Sequence, residues 1–510
     1  MRRTAAPLLV AAATAFVFWS STHNSSVSVD DPEFLIRPYR GLDAASIRGI
    51  FTHFYFSNYA PLSLLSLSAD RALWGMEPFG YHLTNLLLHA ANAVVFYFLC
   101  LELFFLGGKT DNDGPAAAAA ALFFSLHPLR VESVAWISER RDVLCGLFFL
   151  LTLLCWMRSL RPGRLSGGPG RAAALGAFFL ALLSKSAAVP LPLVLILIDL
   201  WPLRRRLRWK EKLPFLALSA VFAAVAVAAQ GDAIVSLEHA VPLQRANQIW
   251  MGLVFYLGKL IWPANLTFYE WHWRPVRAAV LLGAAATAAV LAVAAGSRRL
   301  RAPLLCALAY QSVMLAPVLG FITIGHELFA DRYSYLSGLA WAILFGSGLR
   351  HLARRRRAVS LIFACALLAS FAAATRAQIR VWEDSLAFWK QVVRVDPETT
   401  TRPILAQVLI ARGRVGEAIL YLEEHLRVYP QDLKSRRALD ELVVKTGTTA
   451  RDHAGFHEKL GIEFAARGEF EKAAWHFERG LRYDPGSDKL RAELARARLG
   501  SKPRWRWPSL

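Results

Sequence analysis

Adjacent carboxylates near a membrane surface suit general-base chemistry, and this 510-residue chain carries such a pair at Asp30-Asp31. One carboxylate can take a proton from an acceptor hydroxyl while its neighbour holds a metal or the substrate. A divalent metal, if one is used, would fall to these two residues. The pair also precedes Pro32, and Asp-Pro favours turns. A second cluster reads His127-Pro128-Leu129-Arg130-Val131-Glu132, followed by Glu139-Arg140-Arg141-Asp142. Its density of acid beside base predicts a paired network rather than an ordinary solvated loop. Lys185 stands alone in the turn of an apolar hairpin. A lysine there either snorkels to the interface or neutralises a lipid phosphate. The fourth cluster is His326-Glu327 with Asp331-Arg332-Tyr333. Arginine suits phosphate because its guanidinium fork binds two oxygens. Gathered at one outer-face pocket, these groups suit a glycosyl unit carried on a lipid phosphate. A carboxylate would deprotonate the acceptor, and cations would stabilise the phosphate leaving group.

The elements that must position these groups are apolar. Hydrophobic residues make up 55% of the chain and charged residues 19%, a balance foreign to most soluble proteins. The apolar residues form runs that predict membrane spans. The first follows Met1-Arg2-Arg3 and ends at Trp19; bulky Phe16, Phe18 and Trp19 predict an uncleaved helix. Ten more lie near 82–106, 115–127, 143–157, 172–184, 187–200, 213–229, 277–296, 303–320, 335–349 and 358–374. The net charge of +21 gathers between runs, at Arg204–Arg206, Arg298–Arg301 and Arg354–Arg357. That is the placement of cytoplasmic loops, not of a nucleic-acid footprint. Counting 249–262 as a span would put two of these basic clusters outside, so it is expected to be re-entrant or interfacial. About eleven spans then leave the N-terminus cytoplasmic, residues 20–80 as an outer loop, and the C-terminal domain extracytoplasmic. The five cysteines form no CxxC pair and read as packing residues.

From Trp382 the pattern turns to helically spaced apolar residues among mixed charges. Leu460-Gly461, Phe464, Gly468, Phe470, Ala473, Phe477 and Pro485 hold TPR positions at TPR spacing. Gly413, Ala418, Leu422 and Pro430 mark a second copy, and Ser385, Trp389 and Pro397 a degenerate first. Stacked helix pairs make a concave groove suited to peptide, or serve as a plain helical cap. The expected division is a membrane domain over 1–376, a TPR-like domain over 377–500 and a tail over 501–510.

The motifs also come in a specific order. After Asp30-Asp31 come Tyr81-His82-Leu83-Thr84-Asn85-Leu86-Leu87-Leu88-His89, then His127-Pro128 through Asp142. Ser184-Lys185-Ser186, Leu197-Ile198-Asp199-Leu200-Trp201-Pro202 and Ala330-Asp331-Arg332-Tyr333-Ser334-Tyr335 follow, then the repeats. This order resembles the transmembrane and TPR-containing O-mannosyltransferase-like proteins and their bacterial relatives. The resemblance implies an all-α GT-C glycosyltransferase fold in the cell (inner) membrane. It implies a polyprenyl-phosphate sugar as donor, typically mannose, and a protein Ser/Thr hydroxyl as acceptor. Asp30 or Asp31 then becomes the base. His127, Arg130, Glu132, Arg141, Asp142, Lys185, His326, Glu327, Arg332 and Tyr333 become substrate-binding candidates, with Lys185 and Arg332 facing phosphate. The competing expectation is a non-catalytic membrane anchor whose repeats recruit envelope proteins.

Overall fold

A computed structural model of the chain describes residues 2–31, 41–106, 108, 113–231, 242–267, 273–319, 329–397, 399–446, 450–466 and 468–500. His326, Glu327 and the tail 501–510 lie outside these. The described residues form helices and no strand. They divide into two compact units, Met1–Gln391 and Val392–Leu510.

The first unit opens with α1 (Arg2–Phe18). Two helices follow within the expected outer loop, α2 (Ala44–Thr52) and α3 (Pro61–Trp74), so much of that loop is folded. Asp43 caps α2 by accepting from the Ala45 and Ser46 amides. Next come α4 (Pro78–Phe105), α5 (Asp113–Ser125), the short α6 (Val131–Ala135), α7 (Arg140–Ser159), α8 (Gly168–Ser184), α9 (Leu191–Leu200) and α10 (Trp209–Gln230). The unit continues with α11 (Pro242–Ile261), α12 (Trp273–Gly296), α13 (Arg298–Leu315), α14 (Ser334–Ser337), α15 (Leu339–Ala353) and α16 (Arg357–Ile379).

Each of the eleven expected apolar runs contains a helix. Among the described residues, seven helices are long and apolar enough to cross a membrane. The other four runs fall in the shorter α5, α8, α9 and α15. The long apolar windows in α12 and α16 are only 17% buried within the protein. Apolar faces exposed on that scale belong against lipid, and the chain is a multi-pass membrane protein. The window spanning Ile137–Ser159 is 72% buried, which makes α7 a central helix.

The 249–262 segment belongs to a continuous 20-residue helix, α11. It lies against α12 almost backbone to backbone. A Cβ on Gly258 would collide with the Ala279 carbonyl, and one on Gly283 with the Val254 carbonyl. Only glycine permits that approach.

The second unit is built from α17 (Ser385–Val395, which contains the division), α18 (Arg402–Ala411), α19 (Val415–Val428), α20 (Leu433–Thr446), α21 (Ala450–Ala466), α22 (Phe470–Tyr483) and α23 (Asp488–Gly500). The turns after α18 and α21 place Gly413 and Gly468 at φ of 72° and 77°, a region that disfavours any side chain. Ala454, Ala473, Phe477, Leu490 and Ala497 form a core between α21, α22 and α23.

Candidate functional site

The segment joining α5 to α7 forms the centre of the site. Every residue from 124 to 146 is buried, although the stretch carries seven ionisable groups between Arg130 and Asp142 or immediately before them. Buried charges persist only when paired and hydrogen-bonded, and these are. Arg332 binds both Glu132 oxygens, through its guanidinium at 2.5 Å and its backbone amide at 3.0 Å. Glu139 holds Arg141 at 2.8 Å and Lys185 at 2.7 Å, with the Arg332 Nε at 3.7 Å. Asp142 accepts from Lys185 at 2.8 Å and from the Ser133 hydroxyl at 2.8 Å. The Arg332 guanidinium also lies 5.4 Å from the Trp136 ring and 5.1 Å from that of Tyr333.

Lys185 therefore does not snorkel alone. Helix α8 ends at Ser184, and the extended backbone of Lys185 turns its side chain towards two carboxylates. Burial alone would lower its ammonium pKa, but Asp142 and Glu139 more than offset this and raise it. The amine stays charged.

The Asp30-Asp31 loop docks on the same segment. Asp31 is fully buried. Its Oδ1 accepts from the Ser138 amide at 2.9 Å and hydroxyl at 2.5 Å, and its Oδ2 accepts from the Val27 amide at 2.8 Å. Burial lifts this carboxyl to about 6, although all three hydrogen bonds oppose the rise; the Asp30 charge adds to it. Asp30 is only half-buried. The two neighbours thus differ: Asp31 is an anchor, and Asp30 keeps part of its surface exposed. Among the described residues no group of three or more His, Cys, Asp or Glu side chains could hold a metal ion. With Asp31 taken up by three donors, the pair does not fit a metal site.

Arg130 and His127 brace the far side. Arg130 donates to the Ser334 carbonyl at 2.7 Å and to its hydroxyl at 2.9 Å. His127 accepts from the Leu129 amide at Nδ1 and so carries its proton on Nε2, which lies 3.0 Å from the Leu260 carbonyl. Both groups position backbone. Burial pushes the Asp331 carboxyl well above its usual value, against the opposing charge of Lys259.

Other residues that shape the site escape a search for charged loop motifs. Arg140 pairs with Asp70 of α3 at 2.5 Å and donates to Ser66 and to the Tyr81 carbonyl. His82, Asn85, His89 and Asn92 are fully buried along one face of α4. Asn85 donates to the Val134 and Trp136 carbonyls, Asn92 to Val143, and His89 meets the Tyr335 hydroxyl at 2.8 Å. Their spacing of three and four residues is the available signal: a polar stripe at helical period inside a membrane helix faces protein, not lipid.

Parts of the chain are similar to known proteins. Protein O-mannosyl-transferase tmtc2 of Xenopus laevis is 43% identical over 101 residues. The human protein O-mannosyl-transferase TMTC1 is 36% identical over 129 residues, and human TMTC4 is 29% identical over 177. Over those segments the chain is similar to the protein O-mannosyl-transferases. The shared segment covers 20% of this chain and 11% of the tmtc2 protein; for TMTC4 the shares are 31% and 24%. No family model matches. Among solved structures, ArnT from Cupriavidus metallidurans bound to undecaprenyl phosphate aligns with a TM-score of 0.40 at 17% identity, over 88% of this chain and 79% of that one.

Proposed function

We propose that the chain is a membrane glycosyltransferase of GT-C type, moving a sugar from a polyprenyl-phosphate donor to protein Ser/Thr hydroxyls on the extracytoplasmic face. The relatives' names favour mannose and a protein acceptor. The observation that carries the reading is the docking of the Asp30-Asp31 loop, through Ser138, onto the buried network of Glu132, Glu139, Asp142, Lys185 and Arg332. It brings the loop that carries half-buried Asp30 onto the segment whose carboxylates hold Arg141, Lys185 and Arg332.

In the proposed step Asp30 takes the proton of the acceptor hydroxyl. The hydroxyl oxygen forms a bond to the anomeric carbon, and the bond from that carbon to the phosphate oxygen breaks. Its electron pair leaves with the polyprenyl phosphate. Arg332 and Arg141 are fixed by Glu132 and Glu139, so they meet the new charge without reorganising. Glu139 and Asp142 hold Lys185 in place.

The test is transfer of mannose from a polyprenyl-phosphate donor to a Ser/Thr peptide by the purified full chain. Asp30→Asn should cut transfer by about 10²- to 10⁴-fold while leaving expression intact. Full activity in the Asp30→Asn/Asp31→Asn double variant would sink the reading and favour the anchor.

A further inference from the structure

The C-terminal unit holds a second concentration of charge that the transfer step does not use. Helices α19, α20 and α22 surround a cavity of 360 Å³. Four arginines line it, Arg427, Arg436, Arg479 and Arg482. Trp475 joins them, its ring 5.2 Å from the Arg427 guanidinium.

Two glutamates share the lining, but each is committed elsewhere. Glu423 is buried; it accepts from the Tyr483 hydroxyl and meets the His457 Nε2 at 2.9 Å, with Arg479 at 3.9 Å. A neutral His457 that donates from Nε2 must accept at Nδ1, where the His476 Nδ1 lies at 3.1 Å. This buried chain of partners fixes the floor. Glu478 pairs with Arg498 at 2.7 Å. Arg427, Arg436 and Arg482 remain exposed around the cavity with no carboxylate partner among the described residues. Three like charges around one hollow repel each other and attract an anion.

We infer that this cavity is an anion-binding site for the acidic side chains of an acceptor protein segment. Guanidinium forks match carboxylates in two-point geometry, and Trp475 offers a ring face to the aliphatic part of the same segment. The volume sits at the small end of ligand pockets, which run from about 300 to 1,000 Å³. That admits side chains of an extended segment, not a folded surface. A lipid phosphate would need an apolar flank for its acyl chains, whereas arginine and glutamate dominate this lining. The occupant's identity rests on the proposed transfer to protein; the anion site does not.

The experiment uses the full chain in nanodiscs of neutral phosphatidylcholine, with no sugar donor present. A labelled Glu-rich Ser/Thr peptide is titrated, then the same peptide with Gln for Glu. The Glu peptide should bind at least about tenfold more tightly, a difference of about 1.4 kcal/mol. Its affinity should fall as salt shortens the Debye length from about 10 Å towards 3 Å. Arg427→Ala/Arg482→Ala should lose that preference. Arg436→Ala serves as an independent variant, and circular dichroism checks the fold of each. Equal affinity for the two peptides, or unchanged binding by the folded variants, would overturn the inference. So would binding that appears only when the nanodiscs carry phosphatidylglycerol, since that assigns the site to lipid. Because no donor is present, failure here leaves the transfer reading standing, and loss of transfer with binding intact leaves this one standing.

Discussion

Asp31 and Ser138 are 107 positions apart, yet one carboxylate oxygen of Asp31 takes both the amide and the hydroxyl of Ser138. The contact ties the loop after the first membrane helix to the segment that enters α7. Asp30 is placed by that tie, since it is the next residue along the chain.

The tie should depend on pH. The Asp31 carboxyl rises from 3.8 to about 6 in the folded chain, so the fold favours its protonated form. That contribution is full below about 3.8 and is lost as pH rises through about 6. Thermal midpoints of the wild type in detergent should fall over this window. Asp31→Asn keeps an uncharged acceptor and should flatten that part of the profile. An identical slope in the variant would contradict the prediction.

The two aspartates should separate in an activity assay. A general base contributes about 10²- to 10⁴-fold, so Asp30→Asn should cut kcat by that order without changing yield. Asp31→Asn should lower thermal stability and reduce transfer less severely. The reverse ranking would move the base to Asp31.

Lys185 lies between Glu139 and Asp142, with only 17% of its side chain exposed. Removing it leaves the buried Asp142 without its cation, whereas Glu139 keeps Arg141. Breaking such a cluster costs about 3–5 kcal/mol, so Lys185→Ala should show a sharply lower thermal midpoint. Lys185→Arg keeps the charge and should retain most of the stability. If Lys185→Ala melts like the wild type, the ammonium is not structural.

Arg140 and Asp70 offer a cleaner dissection because both are buried. Arg140→Met alone should destabilise by about 3–5 kcal/mol, as should Asp70→Leu. The double variant should recover much of the loss, because an apolar pair replaces a buried ion pair at little net cost. Additive losses in a double-mutant cycle would show that the two residues act independently.

Much of this architecture is legible from residue type and spacing. Apolar runs locate the membrane helices because lipid demands uncharged length. The crowding of acid and base between Arg130 and Asp142 correctly signals a paired network. The particular pairings are not legible. Lys185 looks solitary in its hairpin because its partners lie more than forty positions back, at Glu139 and Asp142. Asp70 looks like one more charge in an outer loop, since nothing local reveals that Arg140 reaches it. Local pattern dictates elements, whereas pairing depends on how α3, α4 and α7 meet. The split between Asp30 and Asp31 is likewise invisible in two identical letters. It arises from the tertiary bond between the Asp31 carboxylate and Ser138.

The complete burial of residues 124–146 bears on how such a chain is mapped. Composition marks much of this stretch as hydrophilic, so reporter cysteines placed there would be expected to react with impermeant thiol reagents. They would be shielded instead, and proteases would find no purchase. An experimenter scoring accessibility alone would enter this charged connection as bilayer-embedded and miscount every crossing after it.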